Sequence, residues 1–117
     1  MKSVFETHNE QLNALLMAGQ AMDAFERYYA GEVVMQENES EPRLGKALNR
    51  GQCAAFVDAH PDLVMTVLQT AYGEHVSMQE VQFRYTDASG SPVEYTEVAV
   101  RHWENGLIVR EKFYYAA

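Results

Sequence analysis

The sequence has few of the residues that mark disulfide-stapled, nucleic-acid-binding or membrane proteins. Cys53 is the only cysteine among 117 residues, so no disulfide can form within the chain, as expected in a reducing cytoplasm. Nine Lys and Arg stand against 17 Asp and Glu, and the formal net charge of −8 disfavours contact with phosphate backbones and anionic lipid. No apolar run approaches the roughly 18 residues of a membrane helix, and the start, residues 1–6, lacks the apolar core of a signal peptide. We therefore expect a cytoplasmic protein that binds neither nucleic acid nor membranes.

The composition and length favour one folded domain. Hydrophobic residues make up 47% of the chain, which is typical of a globule and not of a disordered segment. Because 117 residues suffice for a single buried core, we interpret residues 1–117 as one domain.

Helical signals come first along the chain and strand signals follow. Thr7 and Glu10 form a capping box, which predicts a helix beginning at Thr7 and broken at Gly19. A second helix is predicted to end at Gly31. The remaining predictions are a strand over 32–38, a loop over 39–43, a helix over 44–60, and strands over 63–72, 75–86, 93–104 and 107–115. Helices followed by antiparallel strands indicate an α+β fold.

The last hairpin allows a prediction of which side chains face the core. Asn105-Gly106 is a strong signal for a two-residue turn, which would set Trp103 opposite Ile108 and alternate the side chains between two faces. The mostly apolar set, expected to face the helices, comprises Thr96, Val98, Val100, His102, Leu107, Val109, Glu111, Phe113 and Tyr115. The set expected outside comprises Tyr95, Glu97, Ala99, Arg101, Trp103, Ile108, Arg110, Lys112 and Tyr114.

Two acids are predicted to reach the interior. Glu111 falls among apolar residues on the inward face, where a carboxylate must be paired, hydrogen-bonded or protonated. His102 lies diagonally across the hairpin from it. Glu37 shares a face with Val33 and Met35, so it points inward if they do. Each has a plainer interpretation: Glu37 as a solvated acid or a partner of Arg43, Glu111 as a buried ion pair, and His102 as a half-exposed strand-end residue.

Three stretches carry a resemblance to a known group. They are the stretch from Tyr29 to Asn38, the Pro-Arg-x-Gly loop within residues 40–45, and the terminal hairpin over residues 103–115. Together with the order of elements they resemble the NTF2-like superfamily, which includes ketosteroid isomerases and SnoaL-type polyketide cyclases. The resemblance implies a cystatin-like cone, in which N-terminal helices pack in the concave face of a curved, mainly antiparallel sheet.

The resemblance also implies roles for single residues. Glu37 falls where the isomerases have their catalytic base. Asn13 and Val98 fall at the places of the oxyanion-hole tyrosine and protonated aspartate, and neither can do the same work. Glu111 and His102 are the candidates for the acid or base that the cyclases place in the same cavity.

We hypothesise a pocket for a small hydrophobic carbonyl compound, with acid–base isomerase or cyclase chemistry that needs no cofactor. Glu37, Glu111 and His102 are the catalytic candidates. The ligand-binding candidates are Asn13, Phe83, Tyr85, Thr96, Val98, Phe113 and Tyr115, of which the aromatic ones can equally be core. The competing hypothesis is a ligand-binding or assembly module without turnover. The four histidines show no metal-ligand spacing, and Cys53 among small apolar neighbours fits a buried hydrophobe better than a nucleophile.

A homodimer is the expected assembly. Tyr95, Trp103, Ile108 and Tyr114 would form an aromatic patch on the outer sheet face, and such patches mark interfaces. The alternative is an ordinary solvated face, because charged residues surround the patch.

Overall fold

The computed structural model describes residues 1–116, which form three helices and six strands in that range. The helices are α1 (Val4–Met17), α2 (Ala21–Tyr28) and α3 (Lys46–Ala59). The strands are β1 (Tyr29–Glu37), β2 (Arg43–Leu44), β3 (Val64–Gly73), β4 (Val76–Thr86), β5 (Pro92–Glu104) and β6 (Leu107–Tyr114). Within residues 1–116, every helix is too short or too polar to cross a bilayer.

The strands form one curved sheet with the order β2-β1-β6-β5-β4-β3. Strand β1 runs parallel to β6, and every other neighbouring pair is antiparallel. The three helices pack on one face of this sheet. The predicted α+β class, with helices against a curved and mainly antiparallel sheet, is therefore confirmed.

Several predicted element boundaries are wrong. The helix predicted from residue 44 begins at Lys46, because Arg43–Leu44 pairs with β1 as strand β2. Helix α1 begins at Val4 because Ser3 and Glu6 form the capping box, one turn before the box predicted at Thr7. Gly31 does not end α2, since the chain turns extended at Tyr29 and Gly31 lies inside β1. The break at Gly19 is where predicted: its positive φ of 76° separates α1 from α2.

A β-bulge near the last turn reverses the predicted faces of β5. Trp103 pairs with Ile108 as predicted, but the next pair is His102 with Arg110, so Val109 is an extra residue in β6. One extra residue moves every later side chain of β6 to the opposite face. Glu111 therefore faces the helices as predicted, but its partner across the hairpin is Arg101 and not Val100.

The inward residues of β5 are consequently the set predicted to lie outside. Glu97, Ala99, Arg101 and Trp103 are buried, whereas Thr96 and Val98 are exposed and His102 is only partly buried on the outer face. The physical reason is the large apolar surface of Trp103, which is 2% exposed and packs with Ile108 in the main core cluster.

The same reversal removes the predicted outer aromatic patch. Trp103 and Ile108 belong to the core and Tyr95 faces inward, which leaves Tyr114 alone of the four on the outer face. The homodimer stays a prediction, and the exposed apolar residues of the outer face that could carry it include Met78, Val98 and Tyr114.

Adjacent residues of β5 test this assignment. Trp103→Ala is expected to lower the free energy of unfolding by about 3–5 kcal/mol, because it deletes a buried indole that also donates a hydrogen bond to Ser77. His102→Ala should change it by only about 0.5 kcal/mol, because its side chain lies on the outer face. Urea unfolding of both variants measures the difference, and equal losses would contradict the assigned faces.

Candidate functional site

A cavity of about 340 Å³ lies between the helices and the inner face of the sheet. We call it the inner cavity. Its walls are mainly apolar and aromatic, contributed by residues from all three helices and from all six strands of the described chain. Prominent wall residues are Leu16, Phe25, Met35, Phe56, Val81, Phe83, Ala99 and Phe113. Such a lining, with a few polar groups, is typical of a small-molecule site.

The inner cavity brings together five of the predicted site residues. They are Glu37, Phe83, Glu111, Phe113 and Tyr115. Regular alternation of β1 from Val33 onward and of β4 places Glu37 and Phe83 inward, and the bulge in β6 does so for Glu111, Phe113 and Tyr115.

Five other predicted site residues do not line the inner cavity. Thr96, Val98 and His102 lie on the outer face of β5, for the reason given above. Asn13 is buried but turns to Arg101. Tyr85 lies beyond the wall, packed against His60 with ring centroids 4.0 Å apart. The structure therefore does not place His102 or these four other residues at the inner cavity, and the predictions that they belong to the site are corrected in that respect.

Glu37 is held by an arginine at the side of the cavity. Its carboxylate accepts from Arg43 Nη1, and Arg43 Nε donates to Asn49 Oδ1 at 3.1 Å. Asn49 is buried and returns two bonds to the backbone carbonyls of Arg43 and Gly45. The interpretation of Glu37 as an Arg43 partner thus describes its geometry, with about a third of the side chain exposed.

Glu111 is fixed through both carboxylate oxygens. Tyr29 Oη donates to Oε1 at 2.5 Å, and Arg101 Nε donates to Oε2 at 3.0 Å. Both members of the ion pair are 1% exposed. Burial, and then the negative charge of Glu111, raise the pKa of Tyr29 well above its ordinary value, so its hydroxyl keeps the proton that it donates.

Arg101 is itself anchored by side chains of α1 and β4, which we call the Arg101 network. Its Nη1 donates to Oδ1 of Asn9 and of Asn13, at 2.8 Å each. Ser77 Oγ donates to Asn9 Oδ1 at 2.8 Å and accepts from Trp103 Nε1 at 2.9 Å. A buried charge needs this degree of hydrogen bonding to remain in a core.

Glu97 is the functional candidate that sequence reasoning missed. It is 7% exposed and lines the inner cavity between Arg101 and Tyr95 along β5. Among residues 1–116, no group hydrogen-bonds or ion-pairs with its carboxyl. Burial, followed by the negative charges of Glu111 and Glu37, raises the pKa of Glu97 to about 8. It therefore carries a proton at neutral pH.

A signal for Glu97 was present in the sequence. Trp103 is the only tryptophan and the largest apolar side chain of β5, and residues an even number apart on a strand share a face. Orienting the strand by Trp103 alone would have turned Glu97 inward.

Two other polar groups in the cavity wall favour their neutral forms. Burial, with a smaller effect of Glu111, raises the pKa of Cys53 to about 11, so its thiol is a poor nucleophile at neutral pH. Burial also raises the pKa of Tyr95 above its ordinary value. In residues 1–116, no cluster of three or more His, Cys, Asp and Glu side chains has the arrangement of a metal site.

Comparisons with known proteins agree with this architecture. The SnoaL-like domain family matches residues 10–111. A proposed SnoaL-like polyketide cyclase from a Jannaschia species is 11% identical, with a TM-score of 0.84 over 97% of this chain and 88% of that one. A similar protein from Mesorhizobium loti is 22% identical, with a TM-score of 0.77 over 94% of this chain and 97% of that one.

An uncharacterised cystatin-fold protein from Novosphingobium aromaticivorans is 19% identical, with a TM-score of 0.79 over 97% of this chain and 98% of that one. These identities show a shared fold and no more. No curated protein matches the chain.

Glu97→Gln is expected to stabilise the protein in a pH-dependent way. Between the ordinary value of 4.5 and the folded pKa of about 8, the folded state holds a proton that the unfolded state has released. The free energy of unfolding of the native protein therefore falls as pH rises through this window, by up to a few kcal/mol. Gln removes this loss, so the variant should gain more stability at pH 9 than at pH 5.

Urea unfolding at the two pH values measures the effect. Glu94→Gln, a charge removal at an exposed position of the same strand, is the matched control and should show no such difference. An equal gain for Glu97→Gln at pH 5 and pH 9 would contradict the raised pKa.

Proposed function

This chain belongs to the SnoaL-like domain family, and we propose that its inner cavity binds a small hydrophobic carbonyl compound and catalyses acid–base chemistry on it. Isomerisation, cyclisation or dehydration would all use such chemistry. The family match and the cyclase-type names of two neighbours support this class of reaction.

The observation that carries the proposal is a buried carboxyl without a partner. Glu97 lines the mainly apolar inner cavity, and within residues 1–116 its carboxyl has no hydrogen bond or ion pair, so its oxygens stay open to the cavity. Buried polar groups in proteins are otherwise hydrogen-bonded almost without exception. A ligand with a hydrogen-bond acceptor would supply the missing partner.

A protonated Glu97 suits the oxygen of a carbonyl group. The neutral acid donates a hydrogen bond to that oxygen and stabilises the negative charge that develops when a proton leaves the neighbouring carbon. A pKa of about 8 keeps the acid protonated yet able to give up its proton near neutral pH. The sequence resemblance set Val98 at the place of the isomerase acid, and Glu97 stands one residue earlier with its side chain inward.

Glu37 remains the proposed base. It lines the same cavity, and about a third of its side chain is open. Its carboxylate is held by Arg43, so taking a proton from carbon requires this pair to loosen. Glu111 is a poorer candidate because both of its oxygens already accept hydrogen bonds.

The second candidate function is ligand binding without turnover. The observation that favours it is the pairing of the other two cavity carboxylates, Glu37 with Arg43 and Glu111 with Arg101. With no free carboxylate base, Glu97 would only orient a ligand. Both functions predict binding, and only the first predicts proton exchange at carbon.

Hydrogen–deuterium exchange of a model ketone separates the two functions. The probe is 1-indanone, whose ten non-hydrogen atoms need about 300 Å³ at roughly 30 Å³ for each water-sized unit, within the cavity of about 340 Å³. The protein is expected to accelerate loss of its α-proton signal in deuterium oxide, followed by NMR. Glu97→Gln should lower the acceleration about 100-fold or more, and the native rate should fall as pH rises through about 8.

Glu94→Gln is again the matched control and should exchange the ketone at the native rate. Shifts of protein signals on ketone addition, without any acceleration of exchange, would favour the binding function instead.

A further inference from the structure

The Arg101 network and Glu111 have no role in the chemistry so far assigned to Glu97. We propose that Glu111 is a positioning residue: a buried anion on the wall of the inner cavity, locked in place from α1 and β1, which acts on a ligand only through Glu97. The proposal rests on the proposed function for the role of Glu97 in ligand chemistry. The position of Glu111 rests on its contacts alone.

The contacts of Glu111 leave neither carboxylate oxygen free to act as an acid or base. One oxygen accepts from Tyr29 and the other from Arg101, and the side chain is only 2% exposed. A proton transfer at either oxygen would break a buried hydrogen bond. Arg101 cannot turn away to release it, because Asn9 and Asn13 hold the other side of the guanidinium.

The same contacts fix a negative charge on the wall of the cavity that Glu97 also lines. Glu111 lies directly across the hairpin from Arg101, four residues along β5 from Glu97, and both acids line the inner cavity. The charged and titratable groups that share this lining with Glu97 are Tyr29, Glu37, Arg43, Cys53, Tyr95, Arg101, Glu111 and Tyr115.

Among these groups Glu111 has the largest charge effect on Glu97. After burial, the negative charge of Glu111 raises the pKa of Glu97 most, followed by Glu37, whereas Arg101 lowers it by less. Carboxylates that share a poorly hydrated cavity repel one another, and the one without a cationic partner takes the proton. Glu111 has its partners, so the proton goes to Glu97.

A titration of the full chain tests the proposal without any ligand. With ¹³C-labelled glutamate, the carboxyl carbon of Glu97 is identified by its absence in Glu97→Gln and followed against pH. The native midpoint should lie near 8. Glu111→Gln removes the charge and should lower the midpoint by about one pH unit or more, whereas Glu111→Asp keeps the charge and should keep the raised midpoint.

A second variant covers the case in which Glu111→Gln leaves Arg101 unpaired and the protein does not fold. The double variant R101M/E111Q removes the ion pair as a unit and replaces it with groups of similar volume, which cores tolerate. Its Glu97 midpoint should fall by less than in Glu111→Gln alone, because Arg101, which lowers the pKa of Glu97, is removed as well. Glu94→Gln, with the same charge change at an exposed position, should leave the midpoint in place.

The pH dependence of ketone exchange distinguishes this positioning role of Glu111 from a purely structural one. In Glu111→Gln the fall of the exchange rate with rising pH should begin at lower pH, by the same interval as the Glu97 midpoint. The proposal is overturned if the Glu97 midpoint stays near 8 in Glu111→Gln, whatever happens to ketone exchange, or if Glu111→Asp lowers the midpoint as far as Gln does. If the native protein exchanges no ketone, the proposed function fails, and the titration still decides the role of Glu111.

Discussion

The buried ion pair between Arg101 and Glu111 is the constraint on which the rest of the site depends. Two charges at 1% exposure can remain in a core only if they face the same side and meet. In an unbulged hairpin Arg101 would oppose Arg110, an unfavourable pair of like charges. The extra residue Val109 brings Arg101 opposite Glu111 instead. The bulge, the inward face of β5 and the position of Glu97 therefore belong to one arrangement.

The pair also ties together elements that are distant in the chain. Its hydrogen bonds come from Tyr29 at the start of β1 and from Asn9 and Asn13 of α1. Removing one partner would leave an uncompensated buried charge, which costs about 3–5 kcal/mol, whereas the intact pair adds little net stability over apolar residues. The arrangement is better understood as one that specifies the geometry of the site than as a source of stability.

The sequence predicted the fold and half of the cavity because those features depend on clean periodicity. Alternation through Val33, Met35 and Glu37 leaves only one way to orient β1, and Asn105-Gly106 identifies the last turn. The faces of β5 were not predictable by counting apolar residues, because a bulge has no marker when the extra residue is an ordinary valine. A count of apolar residues favours burial of the face with Val98 and Val100, but the burial of Trp103 on the other face outweighs that count. Glu111 faces inward as predicted, but it lies opposite Arg101 and not opposite Val100, its partner in an unbulged hairpin.

The charge balance of the cavity limits what can bind there. Glu37 is paired with Arg43 and Glu111 with Arg101, so a protonated Glu97 leaves the lining close to neutral. Both cations in the described part of the wall, Arg43 and Arg101, are already paired, so an anionic ligand would find no free cation there and would meet two fixed carboxylates. A neutral ligand with a hydrogen-bond acceptor satisfies Glu97 and adds no charge. Holding Glu97 in this state opposes folding as pH rises, so the protein gives up stability to keep an unpaired proton donor inside an apolar cavity. A side chain needed only for packing would cost less stability as an amide than as a carboxyl. This difference is the strongest physical reason to assign Glu97 a role in ligand chemistry.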